Sequence, residues 1–183
     1  EGSYSNATSV LDLMLDISED EGGIAAKQLD IPGRPAIALT VDGEGPVATF
    51  AADMTLATDG QDRIAGNFAL TDAEGASGFR LDIGGDVTPL LEPDYHDFFG
   101  EEVALVAAGR QLEDGRFDLS DLDLTARRLQ LTGGALIGAE GWPVRVNLTG
   151  GIDDPNGDVV LLPLTGPKTF VDQIALDIQY DQL

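Results

Sequence analysis

Few residues in this chain are able to do chemistry, and their spacing does not suit it. There is one histidine, His96, and no cysteine, which excludes thiolate nucleophiles, thiolate metal sites and disulfides. His96 lies in EPDYHDFFG (92–100), and no G-x-S-x-G elbow exists to partner it. It reads as a packing or helix-surface residue. Asp153, Asp154, Asn156 and Asp158 crowd one turn with the hard oxygens that calcium takes. The glycine and closing glutamate of an EF-hand are not at the required spacing, so an ordinary Asp/Asn/Gly turn is the reading and calcium its alternative. GGDVTPLL and LTGGALIG lack the lysine and spacing of a phosphate loop or dinucleotide fingerprint. The 33 acids are too many to nominate a catalytic pair. No catalytic residue, metal or cofactor is expected, and the chain reads as non-enzymatic.

The charge balance narrows the partners. Ten basic residues against 33 acidic ones give a net charge of −23, and the only lysines are Lys27 and Lys168. A grip on nucleic-acid phosphates needs clustered Lys and Arg, and Arg127–Arg128 is the only adjacent basic pair. Nucleic acid is therefore excluded as a partner, and an anionic bilayer surface would repel the chain. The acid excess serves solubility. Hydrophobic residues make up 43% of the chain, enough to bury or display a large apolar surface. No apolar run reaches the ~18 residues of a membrane-spanning helix, and no signal peptide opens the chain. The abrupt opening and the strand-like close, Ile174 to Tyr180, favour a piece of a longer exported protein.

The elements that must place these side chains alternate with period two, the signature of half-buried strands. The stretch Leu122 to Gly150 is the clearest case: Leu122 and Leu124, then Leu129, Leu131 and Ile137, then Val144, Val146 and Leu148 share one face. Asp123, Thr125, Gln130, Thr132, Arg145 and Asn147 take the other. Looser copies precede and follow it. These are Leu11, Leu13, Leu15 and Ile17; Ile37, Leu39 and Val41; Phe50, Met54 and Leu56; and Ile64, Phe68 and Leu70. Phe79, Leu81 and Ile83; Val103 and Leu105; Phe117 and Leu119; and Ile174, Leu176, Ile178 and Tyr180 complete them. Outward positions are repeatedly acidic, as at Asp12, Asp16, Asp53 and Asp82.

Irregular stretches punctuate this rhythm. The phase slips between Leu119 and Leu122, which predicts a bulge near Ser120–Asp121 or two separate strands. Residues 24–33 read as a weaker strand, 59–60 and 72–78 as turns, and 1–9 as a frayed terminus. Pro93 predicts one short helix near 93–99, with Leu90, Leu91, Tyr95, Phe98 and Phe99 plugging an edge or end of the sheet. Pro163 confines VVLLPLTG (159–166) to an edge or a connection. Some eleven strands joined by Gly/Asp turns predict an all-β, mostly antiparallel unit over 10–183. A sandwich, a barrel and an extended groove all fit that count.

The succession TPLLEPDYHDFFG, LDLTARRLQLTGGALIGAEGWPVRVNLTGGIDDPNGDVVLLPLTGP and a closing strand resembles the middle of TamB-type subunits of the translocation and assembly module. These belong to the AsmA-like superfamily, and the Ala/Gly/Asp-rich style is similar to its alphaproteobacterial branch. The resemblance covers roughly 11–181 and rests on degenerate repeats. It implies a curved sheet folded into an open, taco-like apolar groove, continued by neighbouring repeats of a periplasmic chain anchored in the inner membrane of a Gram-negative bacterium. The implied partners are phospholipid and, through another part of the parent chain, an outer-membrane barrel similar to TamA. The family has no catalytic residues. The site it implies is the groove lining, which here is the inward set named above. Carriage of acyl chains between the two membranes is the first functional expectation, and assembly of outer-membrane barrel proteins the second. A closed β-sandwich in a surface protein is the third. For the isolated segment, dimerisation through sheet edges or groove stays open.

Overall fold

The computed structural model describes residues 1–5, 9–73 and 76–182. Ten of the eleven strands of the main sheet follow directly from the alternation: β2 (Val10–Glu19), β3 (Ile37–Pro46), β4 (Ala51–Thr58), β5 (Gln61–Ala73), β6 (Ala76–Gly85), β7 (Val103–Gln111), β8 (Phe117–Thr125), β9 (Leu129–Ile137), β10 (Pro143–Asp153) and β13 (Gln173–Asp181). The eleventh, β1 (Gly2–Ser5), pairs with β2. It occupies part of the stretch expected to fray; residues 6–8 lie outside the described residues. The correction has a simple cause. The β2 edge offers unpaired backbone donors and acceptors, and a polar segment can satisfy them as well as an apolar one.

The sheet is a meander in sequence order, β1 to β10 and then β13, with antiparallel neighbours throughout. Its edges are β1 and β13, which do not pair with one another, so the sheet is open. Bulges and glycine kinks supply its curvature. The bulge expected near Ser120–Asp121 is present, since the register shifts between Leu119 and Leu122. Gly85 and Gly133 have φ of 147° and 145°, where L side chains are strained. A Cβ at either would also run into a neighbouring carbonyl oxygen, of Arg63 and Asn147 respectively.

The helix expected near 93–99 is a 3-10 turn, Pro93–Tyr95, continued as α2 (His96–Phe99). The weak strand expected at 24–33 is instead opened by α1 (Ile24–Gln28). Ala25, Ala26, Lys27 and Gln28 are good helix formers, and the Glu19 carboxylate accepts the free N–H groups of Ala25 at 3.0 Å and Ala26 at 2.8 Å. The segment carrying Pro163 is a connection, as expected, with β11 (Val160–Leu161) and β12 (Phe170–Val171) forming a small ribbon outside the main sheet. Of the turn expected at 72–78, residues 74 and 75 lie outside the described residues.

Because every strand reverses direction, the connections 20–36, 86–102, 126–128 and 154–172 fall along one margin of the sheet. The tightest packing is there. Ala26, Ile31, Phe98, Ala126 and Val160 are buried, as are Arg128 and Asp154. Arg127 and Arg128 donate backbone N–H groups to Phe99 and Phe98. Asp97 bridges the two arginines at 2.7 and 2.5 Å, and Arg128 reaches Asp154 at 2.8 Å. Lys168 pairs with Asp94 at 2.5 Å, and the Tyr95 hydroxyl donates to the Leu164 carbonyl at 3.3 Å. These contacts lace the 86–102 and 154–172 connections together. Among the described residues, the opposite margin carries short connections, such as 47–50, 112–116 and 138–142.

Candidate functional site: an open apolar sheet face

Cross-strand partners lie on the same face of a sheet, so the register can be followed from strand to strand as a row. One row runs Leu13, Gly43, Ala52, Phe68, Leu81, Ala107, Leu122, Gly133, Leu148, Ile178. The next runs Leu15, Val41, Met54, Gly66, Ile83, Leu105, Leu124, Leu131, Gly150, Leu176. No polar side chain interrupts either row over ten strands. Flanking them, Ile17, Leu39, Leu56, Ile64, Gly85 and Val103 continue on one side. Leu70, Phe79, Gly109, Leu119, Ala135, Val146 and Tyr180 continue on the other. The Tyr180 hydroxyl is the one polar group among these positions.

The residues expected to line a groove therefore share one face. Leu11 pairs with Gly45, Ile37 with Glu19 and Thr58, and Phe117 with Ile137. Leu129, Ile152 and Ile174 form a line across β9, β10 and β13. Phe50 sits just ahead of β4 and is buried; its carbonyl accepts the Leu70 N–H. Val144 lies in the bulge between Pro143 and Arg145 and stands outside the regular rows. Ile152 is the apolar strand residue that sequence reading missed. It continues the period of Val146 and Leu148, but Gly150–Gly151 ahead of it read as a breaker. The glycines of the rows and Ala107 went unread as lining for a different reason, since a residue with little or no side chain marks the alternation weakly, whereas Ala52 and Ala135 fall in the inward runs that period two shows. These small residues leave room for large neighbours. Phe79 and Phe117 stack at 5.9 Å across Gly109, and Phe68 stacks on Phe79 at 6.4 Å.

The opposite face is polar in the same register. One row there runs Met14, Asp42, Asp53, Asn67, Asp82, Val106, Asp123, Thr132, Thr149, Asp177.

Little covers the apolar face. Among the described residues, the buried apolar side chains on the main sheet are Phe50, Ala52 and Ala107. The large inward side chains of the central strands are half-buried. Towards the two edges they stand in solvent, Leu15 at 38% and Ile17 at 52% exposure, Ile178 at 40% and Tyr180 at 45%. The accessible surface is 11601 Å², whereas a compact monomer of 19.2 kDa would expose about 8,400 Å². The chain leaves in contact with solvent what a closed fold would bury.

The polar candidates have structural roles. His96 Nε2 lies 3.0 Å from the Leu91 carbonyl. The Asp154 carboxylate accepts the Asn156 N–H at 2.8 Å, and that bond, helped by the Arg128 charge, holds its carboxyl below the ordinary 3.8 despite burial. The Asx turn and the arginine thus engage the Asp154 carboxylate. No group of three or more metal-ligating side chains occurs among the described residues. Backbone donation from Ala25 and Ala26 likewise holds Glu19 below its ordinary value.

Comparison with protein-family models, with curated proteins and with solved structures finds no match.

Proposed function

We propose that the chain is a non-enzymatic segment of a periplasm-spanning, TamB-type protein anchored in the inner membrane, whose apolar sheet face carries phospholipid acyl chains between the inner and outer membranes. The observation that carries this reading is the unbroken apolar register over ten strands on a sheet whose edges stay apart. An acyl chain laid on that face gains about 0.8 kcal/mol per CH₂ removed from water. The two central rows offer no directional polar contact, so selectivity among chains is low and sliding along them meets small barriers. Neighbouring repeats of the parent chain continue the face, and a TamA-like barrel receives it at the outer membrane. A single open sheet gives a closed sandwich no support.

Leu131→Glu tests the reading. Leu131 is half-buried and central in the rows, and a carboxylate there stays in reach of water. Transfer of fluorescent phospholipid between vesicles should fall at least tenfold, with the melting temperature lowered by only a few degrees. Unchanged transfer, or collapse of the fold, contradicts the proposal. A second reading rests on the free β13 edge, whose backbone groups could receive a strand of an unfolded barrel protein. Under it, Leu131→Glu leaves barrel assembly impaired by less than edge substitutions such as Asp177→Pro.

A further inference from the structure

The packed margin does more than hold the strand ends together, because α1 and Leu90 lean over the apolar face and leave a space beneath them. That cavity measures about 420 Å³, within the ~300–1,000 Å³ of small-molecule sites. Ile17, Leu39 and Leu56 form its floor, and Ala25, Leu29 and Leu90 stand around it. Ile17, Leu39 and Leu56 belong to one row, so the cavity opens directly onto the face described above. Ile17 and Leu29 are 52% and 71% exposed and mark its mouth.

We propose that this cavity is an end stop for one acyl chain, taking the methyl terminus while the polar end lies out on the open face; the inference rests on the acyl-chain reading of that face. The polar residues of the wall are Ser18, Glu19 and Thr58, and the Glu19 charge decides the orientation. Glu19 has its carboxylate bound to the Ala25 and Ala26 N–H groups, and the Thr58 hydroxyl accepts from Arg63 Nε at 2.9 Å. An anionic headgroup would meet the Glu19 charge and lose its water against a lining that is mostly apolar. A peptide would bring a row of backbone amides against the aliphatic floor of Ile17, Leu39 and Leu56, which offers them no partners. A linear apolar chain end asks for nothing the cavity lacks.

Photolabelling of the purified protein with palmitic acid carrying a diazirine on its terminal carbon tests this. Adducts should concentrate on α1, Ile17, Leu39 and Leu56, while palmitic acid with the diazirine beside its carboxyl labels other inward residues. Ala25→Phe should reduce labelling by the terminal probe about tenfold, and Asn67→Ala, on the outer face, should leave it unchanged. Adducts of the terminal probe spread evenly over β5 to β9 overturn the end stop and spare the acyl-chain reading. Absence of adducts from every inward residue overturns both. Equal labelling of Ala25→Phe and the unaltered protein also overturns the end stop.

Discussion

Asp154 is one of 33 acids in a chain with far too many of them, yet it is the one buried against an arginine. Its side chain is 1% exposed and that of Arg128 is 9% exposed. Burying a charge is unfavourable unless it is paired and hydrogen-bonded; Arg128 supplies the pairing and the Asn156 N–H a hydrogen bond to Oδ1, while Asp154 Oδ2 and Arg128 Nε make no hydrogen bond. A carboxyl held below its ordinary value stabilises the fold fully above that ordinary value. The contribution is lost as pH falls through the lower folded-state value. Asp154→Asn should therefore melt several degrees below the unaltered protein at neutral pH, with the gap closing as pH drops below 3.8. Thermal melts across that range check it, and a gap that stays constant contradicts the assignment. The role of Arg127–Arg128 was not legible beforehand. Sequence reading saw an isolated basic pair, because its partners Asp97 and Asp154 lie some thirty residues away on either side.

Among the elements, the strands were legible and the connections less so. Period two survives in every strand of the main sheet except β1 because each has one face against apolar neighbours and one against water, and that difference selects residue types. The Ser120–Asp121 bulge was visible as a phase slip for the same reason. The helix α1 was not, because it is set by a carboxylate five positions ahead of it and by chain direction, neither of which leaves a periodic trace. β1 was missed because a strand that only completes an edge needs backbone, not side chains. Curvature depends on a few glycines, and Gly133 tests that dependence. Gly133→Ala places a side chain at φ of 145° against the Asn147 carbonyl, which should destabilise the protein by about 1–3 kcal/mol. Urea unfolding measures it, and a midpoint equal to that of the unaltered chain would show that the kink is not required.

At the scale of the molecule, two quantities belong together: a net charge of −23 and an accessible surface about 3,000 Å² larger than a compact chain of this mass would show. Exposed apolar patches beyond a few hundred Å² mark interaction surfaces in soluble proteins. The acidic outer rows oppose association of such sheets by like-charge repulsion. Sequence alone could not separate sandwich, barrel and groove, since all three alternate identically; the separated edges decide among them. The most direct measurement places a benzophenone amino acid in the protein in cells, at Phe68 and Leu131 on the inner face and at their chain neighbours Asn67 and Thr132 on the outer face. Irradiation should yield phospholipid adducts from Phe68 and Leu131 and none from Asn67 and Thr132. Equal capture from both faces, or no lipid from the inner one, would contradict the account.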